Sequence, residues 1–510
     1  MKILLRHLLI ICLLSGISTI HAQQVTTLYF LENSPMRHVI NPAFQPVSKM
    51  YLTLPALGYT SIWAGNNALT MRDCLFKDPK TGHTITPLHP NADPNWLKHK
   101  PNMILVDADV YVNILGFGYR VQDFGYATVN ISERVLAGAS INKSLLGVNE
   151  LSTSAIGPLT IGANAIAYTD IALGYSHKIN DQWTVGGKFK LLVGEAYADV
   201  EIKKLTILLM TMLLLLIACD NDNCEQLTAF GEGSITAAAP LLWEQLPTDI
   251  EDFSGIEFSS LISSDIRDLL KPAGMGAALD LGMTYKPFDM LQVTASITDM
   301  GFINWTQLAR GTMAIDTTFC GIELEAKDYM QNNQFQLDNL TSDLSNELMG
   351  YSDALQITGI KKNKSFASAL VANLNIGVDA YFWEDRIGVG LYSRTRFYKH
   401  TAIEELTLGA AFRPFNWFNI AASYSFINGH WSNIGAGLSI APYDGLMLTF
   451  ATDYVPMTYA TASFENNTIS LPYKTAGINL SFGLAIVVGT NQQKKSNQSL
   501  SVDNQLTISQ

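Results

Sequence analysis

The sequence predicts an all-β fold, namely a transmembrane antiparallel up-and-down β-barrel of about 14 strands, in a range of roughly 12–16. Three observations predict it: strands with one apolar and one polar face, short turns that alternate with long connections, and an export signal. The clearest strand covers residues 291–298, where Leu, Val, Ala and Ile alternate with Gln, Thr and Ser. Successive side chains of a strand point to opposite faces, so this strand suits a wall between lipid and water.

The composition agrees with a barrel better than with a soluble or a helical membrane protein. Charged residues make up 15 % and hydrophobic residues 48 % of the chain, and the mean hydropathy is +0.14. Soluble proteins carry nearer a quarter charged residues, and helical membrane proteins show several apolar runs of about 20 residues. The net charge of −12 excludes the basic surface that nucleic-acid binding requires.

The N-terminus predicts export to the outer membrane. Lys2 and Arg6 precede a short apolar core, and Ala22 before Gln23 is a cleavage site, so residues 1–22 form a signal peptide. The alternative, an uncleaved anchor, is disfavoured because the apolar core is short. We expect residues 23–50 to be a periplasmic or plug segment, residues 51–488 the barrel, and residues 489–510 a disordered polar tail.

Short turns and long connections alternate along the second half of the chain. Three short turns share a Pro-aromatic-Asp/Asn pattern, at Pro287, Pro414 and Pro442. Proline and Asp or Asn favour turns, and the aromatic residue fits an interfacial girdle, so we assign these turns to the periplasmic side. We expect long extracellular loop insertions near residues 200–273 and 301–370, with a helical apolar stripe over residues 258–270.

The segment 205–218 does not fit the strand pattern. It is nearly all apolar, follows two lysines and ends at Cys219, so it resembles a lipoprotein signal in an internal position. We consider a β-hairpin, a helix and a sequence artefact as interpretations. Cys219 and Cys224 flank a polar turn and are candidates for a disulfide or for a plain turn. A metal site there lacks the usual number and spacing of ligands.

Two motifs carry a family resemblance. Asn41-Pro-Ala43 resembles the segment near the start of FadL-type fatty-acid transporters and of PorV-like barrels. Residues 28–38, 280–287 and 299–305 are similar to a family of Bacteroidetes outer-membrane barrels of unknown function, the DUF5723 type. The resemblance covers most of the chain except residues 205–224. It implies a FadL-like barrel, while an activity would be only an analogy of fold.

Two functions follow as hypotheses. The first is a passive channel or transporter for small molecules, hydrophobic ones included, in which Asn41, Pro42 and Ala43 are the candidate gate residues; the alternative is that they only seal the barrel. A polar path would be lined by six candidates: Asp280, Gln292, Thr294, Asn375, Asp379 and Asn419. The second is a non-transporting PorV-like scaffold for secretion or surface attachment, which binds a protein partner through its extracellular loops.

An enzyme is not expected. No Gly-x-Ser-x-Gly, His-Glu-x-x-His or P-loop motif occurs, and the nine histidines are scattered. Nucleophilic catalysis needs a nucleophile and a base within hydrogen-bonding distance, and no pattern in the sequence indicates such a pair. We expect no cofactor, no nucleic acid and, as the surrounding medium, outer-membrane lipid.

Overall fold

The structure is a computed structural model in which strands surround the N-terminal residues. It describes the following residues: 25–54, 57–74, 76–77, 84–85, 95–146, 156–210, 226–238, 272–320, 330–331, 334–336, 355–363, 365–397, 402–415, 417–427, 430–443, 445–455, 458–464, 467–474 and 476–490.

Almost all of the described secondary structure is β-strand. In the first part of the chain the strands are β1 (Ser48–Thr53), β2 (Tyr59–Asn66), β3 (Phe76–Lys77), β4 (Thr84–Ile85), β5 (Met103–Val121), β6 (Gly125–Asn142), β7 (Ile156–Lys178), β8 (Trp183–Met210), β9 (Gln226–Ala238), β10 (Gly274–Phe288), β11 (Leu291–Trp305) and β12 (Leu308–Cys320). They are followed by β13 (Met330–Gln331), β14 (Gln334–Gln336), β15 (Leu355–Asn363), β16 (Phe366–Ala369), β17 (Ala372–Phe382), β18 (Ile387–Phe397), β19 (Ala402–Phe415), β20 (Phe418–Ile427), β21 (His430–Tyr443), β22 (Leu446–Thr452), β23 (Tyr459–Phe464), β24 (Asn467–Pro472) and β25 (Gly477–Thr490).

The helices are short. The described part of the chain contains 3₁₀ helices at Thr26–Phe30, Pro35–Val39 and Lys143–Leu146 and an α-helical turn at Met71–Cys74. Among the described residues, no helix has the length and apolar character needed to cross a membrane.

The strands close into a ring. β1 and β2 act as one broken wall strand, because both pair with β5 on one side and with β25 on the other. From β5 the ring continues through β6, β7, β8, β10, β11, β17, β18, β19, β20, β21 and β22 to β25, and every pair is antiparallel. The structure therefore confirms the predicted fold class, with a strand number inside the predicted range of roughly 12–16.

The two predicted loop insertions contain long strands. The end of β8 pairs with β9, β9 pairs with β12, and β12 pairs with β15, which extends the wall beyond the ring on the side of the long connections. The predicted insertions near 200–273 and 301–370 therefore contain β-strands in their described parts. Gly301, the first residue of the second predicted insertion, lies inside β11, where a Cβ would come 2.6 Å from Ala278 Cα of β10. This glycine permits close approach of two strands.

The first residues of the apolar segment 205–218 take part in the pairing of β8 with β9. Residues 205–210 belong to β8, and Met210 lies opposite Gln226 of β9, so the described part is one arm of a hairpin. The hairpin interpretation agrees with this pairing. Residues 211–225, including Cys219 and Cys224, lie outside the described residues. So do the predicted signal peptide, the predicted helix 258–270 and the predicted tail from residue 491.

The alternation predicted from the sequence separates the two faces of the wall. On the outer face, Phe189 of β8 and Leu281 of β10 are 54 % and 45 % exposed. Asp280, the residue before Leu281, points inward and is fully buried. Aromatic residues stand at the short turns, where Phe415 and Trp417 stack with ring centroids 5.4 Å apart. This arrangement suits a lipid-facing surface with an interfacial girdle.

The lumen holds the N-terminal residues 25–47, which we call the plug segment. None of them belongs to a strand, and the barrel begins directly after them at β1, a few residues before the predicted boundary. Ser34 caps the second 3₁₀ helix, since its Oγ accepts a hydrogen bond from the Met36 nitrogen at 3.3 Å, and Pro35 occupies the first helical position. The plug segment therefore folds by local turns and is enclosed by the wall.

Candidate functional site

A gap in the inner wall receives the plug segment where β8 and β10 pair. Gly186 and Gly282 lie opposite each other in this pair. A Cβ on Gly186 would lie 2.5 Å from the Ala43 nitrogen, and a Cβ on Gly282 would lie 2.9 Å from Pro42 Cδ. Any larger side chain at either position would overlap the plug segment. We call this contact the glycine seat.

Asn41 fixes the plug segment on the glycine seat. Its Nδ2 donates to the carbonyl oxygen of Met283 at 3.2 Å and to that of Ala295 at 3.3 Å. Its Oδ1 accepts a hydrogen bond from the Ala43 nitrogen at 2.9 Å, which forms a local Asx turn. The candidate gate residues Asn41, Pro42 and Ala43 are all buried and lie together against β8, β10 and β11.

The six candidate lumen-lining residues all point inward and are buried, namely Asp280, Gln292, Thr294, Asn375, Asp379 and Asn419. Three of them contact the plug segment. The Tyr29 hydroxyl donates to the Asp379 carboxylate and lies 3.0 Å from Thr294 Oγ1. Asn375 Nδ2 donates to the Ile40 carbonyl oxygen at 3.3 Å. With the plug segment in place, the side chains of Thr294, Asn375 and Asp379 therefore bind it and do not line open space.

The beginning of the plug segment is held by Asp453, which the sequence analysis did not single out. The Asp453 carboxylate accepts hydrogen bonds from the Thr26 and Thr27 nitrogens at 2.7 and 2.8 Å and from Thr27 Oγ1 at 2.6 Å. Asn479 Nδ2 also donates to it at 2.8 Å. The sequence offered only an acidic residue after a strand, which is too common a pattern to indicate this contact.

Phe30 fills a second gap in the wall. A Cβ on Gly390 would lie 3.1 Å from its Cε1, and a Cβ on Gly409 would lie 2.6 Å from its Cδ2. The neighbouring Tyr29 meets Phe30 edge to face at 5.0 Å and stacks on Tyr392 at 4.4 Å. These rings pack against β18 and β19, so the first turn of the plug segment is anchored by apolar burial as well as by Asp453.

Glu32 forms an ion pair at the short-turn end of the lumen. Its Oε2 lies 2.5 Å from the guanidinium of Arg413, which lies near the end of β19. Burial alone would raise the pKa of Glu32, but Arg413 and then Arg37 outweigh it and hold this pKa below its ordinary value. Arg37 also stacks over the Phe44 ring, with its Cζ 4.2 Å from the centroid.

His38 links the plug segment to β8 and β1. Lys188 Nζ lies 3.0 Å from the His38 carbonyl oxygen and 3.2 Å from His38 Nδ1, and the Tyr51 hydroxyl lies 2.7 Å from His38 Nε2. The ammonium only donates, so Nδ1 must accept and Nε2 carries the proton. Burial, followed by the charge of Lys188, lowers the pKa of His38 well below its ordinary value.

Five charged side chains cross the inner wall beside His38, and we call them the charged belt. Arg134 contacts Asp109 at 2.8 Å and Asp299 at 3.0 Å, and Lys190 contacts Asp299 at 2.5 Å and Asp280 at 2.8 Å. The belt joins β5, β6, β8, β10 and β11. Buried charges are tolerated when each has partners, and here every member has at least one.

A small cavity lies beside the plug segment, between His38, Arg134, Lys188 and neighbouring residues. Its volume of about 20 Å³ is room for about one water molecule. Within the described part of the chain, no group of three or more His, Cys, Asp or Glu side chains is arranged to hold a metal ion.

Comparison with known proteins gives a family and distant structural relatives. A family described as "Family of unknown function (DUF5723)" matches residues 42–453. No curated protein matches the sequence. The fold is similar to the toluene transporter TodX of P. putida (11 % identity, 89 % of this chain and 94 % of that chain, TM-score 0.38). It is also similar to a Pseudomonas aeruginosa FadL homologue (10 % identity, 93 % and 100 % covered, TM-score 0.37). These identities are too low to transfer a cargo.

Proposed function

We propose, on the premise that this chain belongs to the family of unknown function DUF5723, that it is a passive outer-membrane channel for small molecules. The plug segment closes the lumen, and a solute passes when this segment moves away from the wall. Asn41, Pro42 and Ala43 act as the gate, with Pro42 restricting the backbone of the turn. Because the sequence resembles FadL-type transporters, hydrophobic molecules are also candidate solutes and should be tested.

The glycine seat is the observation that carries the proposal. The plug segment contributes no strand to the ring, and it is held by hydrogen bonds and by packing into gaps at Gly186 and Gly282. Such contacts break without opening a strand pair, so the segment can leave while the wall stays closed. A segment that only began the first wall strand would need no gap in β8 and β10.

Single-channel recording in planar bilayers tests the gate with a matched pair of variants. Gly186→Ala places a methyl group against the plug backbone, whereas the methyl group of Gly187→Ala would have its nearest neighbour 3.8 Å away. We expect Gly186→Ala to open more often than the natural mature protein, and Gly187→Ala to behave like it. Silent records from all three proteins, each heat-modifiable and therefore folded, would contradict the channel.

A scaffold is the second candidate, and one observation favours it. The band formed by β9, β12, β15 and the end of β8 extends beyond the ring, which offers a partner surface that a channel does not need. In that case the plug segment is a permanent core and the lumen stays closed. A partner that co-purifies with the silent protein and is lost when the band is altered would support the scaffold.

A further inference from the structure

We infer that the pore vacated by the plug segment is hydrophilic, so that the cargo is a small water-soluble solute such as a sugar and not a hydrocarbon. This inference rests on the proposed function, because it concerns the lumen that opens when the plug segment moves. The inference follows from a comparison of two elements: the plug segment supplies much of the apolar surface in the lumen, and the wall supplies much of the polar surface.

Much of the apolar content of the lumen around the plug belongs to the plug segment itself. Leu28, Leu31, Met36, Ile40 and Phe44 are each at most 7 % exposed and form one cluster with the neighbouring wall. When the segment leaves, these side chains leave with it. The character of the open pore is then set by the inward face of the wall.

The inward face of the wall beside the plug segment is rich in hydroxyl and amide groups. Thr407 Oγ1 lies 2.9 Å from Ser425 Oγ on the adjacent strands β19 and β20. Ser423 Oγ lies 2.7 Å from Thr27 Oγ1, so its present partner belongs to the plug segment and would be replaced by water. Asn375 and Asp379 likewise contact plug atoms and would be hydrated when these depart.

Large apolar wall residues around the plug are few and grouped. Met447 of β22 and Val487 of β25 lie on neighbouring strands. The aromatic rings that the wall adds to this cluster are tyrosines, each of which carries a hydroxyl group: Tyr51, Tyr59, Tyr111, Tyr126 and Tyr392. A hydrocarbon in this pore would displace water from the hydroxyl, amide and carboxylate groups without offering them a partner. That loss exceeds the gain from a few apolar contacts.

The charged belt adds a second barrier to hydrocarbons. An apolar cluster with Leu192, Ile303 and Trp305 lies beyond the belt, two residues along β8 from Lys190. A hydrocarbon could bind there, but its path to the other end of the lumen would pass Arg134, Lys190 and their carboxylate partners. Removing water from charged groups is more costly than removing it from neutral ones.

Solute flux through the two glycine variants tests the inference. Proteoliposomes carrying Gly186→Ala should swell in arabinose about tenfold faster than those carrying Gly187→Ala, the shift that one overpacked methyl group typically gives a two-state equilibrium. Entry of the apolar dye Nile red into whole cells whose outer membrane excludes it should stay equal for both variants. If Gly186→Ala does not fold, Asp453→Ala replaces it in both measurements, because this variant releases the other end of the plug segment.

The outcomes separate the inference from the proposed function. Faster arabinose flux with unchanged Nile red entry supports both. Faster Nile red entry, with or without arabinose flux, overturns the hydrophilic pore and leaves the channel standing. If neither solute responds, and heat-modifiable Gly186→Ala and Asp453→Ala proteins also give no current, both the channel and its hydrophilic pore are contradicted.

Discussion

The two ends of the plug segment are held by different interactions. The first end, residues 25–32, is anchored by the Phe30 ring in a gap of β18 and β19 and by the Asp453 carboxylate. The second end, residues 38–43, rests on close backbone approach at Gly186 and on the neutral imidazole of His38. The first end therefore depends on buried ring area and on carboxylate contacts, which include those of Glu32 and Asp379. The second end depends on backbone fit and on the position of a proton. This difference teaches that the second end is the part sensitive to small chemical changes.

The largest effect should come from emptying the gap that Phe30 fills. Phe30→Ala removes a ring that is only 4 % exposed, and core changes of this kind cost about 3–5 kcal/mol. Hydrogen exchange of peptides covering residues 25–32 should become much faster, while residues 38–43 change less. Phe412→Ala is the control, because Phe412 lies on the outer face of β19 and is 41 % exposed. If residues 25–32 exchange equally fast in Phe30→Ala and Phe412→Ala, the Phe30 ring does not anchor the first end.

An effect of comparable size on the same end is expected from Asp453→Ala. The Thr26 and Thr27 nitrogens would lose their buried acceptor, at a cost of about 1–3 kcal/mol for each unsatisfied group. Asp453→Asn retains one carbonyl acceptor and should lose less. Exchange over residues 25–32 measures both variants, and an equal loss in the two would show that charge, not the acceptor position, holds this end.

The smallest effect should come from pH and should fall on the second end. The folded pKa of His38 lies below its ordinary value near 6.5, so below that pH the unfolded form binds more protons than the folded form. The stabilisation is complete above about pH 6.5 and is lost as the pH falls towards the folded pKa, by about 1.4 kcal/mol for each unit of pKa shift.

Exchange at pH 7 and pH 5 checks this prediction after correction for the intrinsic rate. Residues 38–43 should open more readily at pH 5, and His38→Gln should abolish the difference. A pH effect of the same size in His38→Gln would exclude His38 as its origin.

The inward-facing residues could be predicted from the sequence, whereas the contacts of the plug segment could not. The period of two in β10 and β11 placed Asp280, Gln292 and Thr294 on the inner face, because strand geometry alone determines this. Asp453 was missed because its partner Thr26 lies 427 positions away, and no local pattern joins them. The role of Gly186 was hidden for the same reason, since it depends on Pro42 and Ala43 coming to lie against β8.

The strands of the extended band were predicted only in part. The hairpin of β8 and β9 was among the interpretations of the sequence, whereas residues 301–370 were assigned to a long connection. In the structure the wall continues through β12, and Gly301 serves the approach of β10. A single sequence does not distinguish a glycine that ends a strand from one that lets a neighbour come close.

The closure of the ring between β25 and β1 has a consequence for the order of assembly. β1 directly follows the plug segment, yet its partner is the last described strand, so the seam joins the two extremes of the chain. Sealing cannot occur until the final strand has been delivered, by which time every wall residue that holds the plug segment is present. The segment at the start of the described chain is therefore confined last, and its enclosure and the completion of the wall become a single event in assembly.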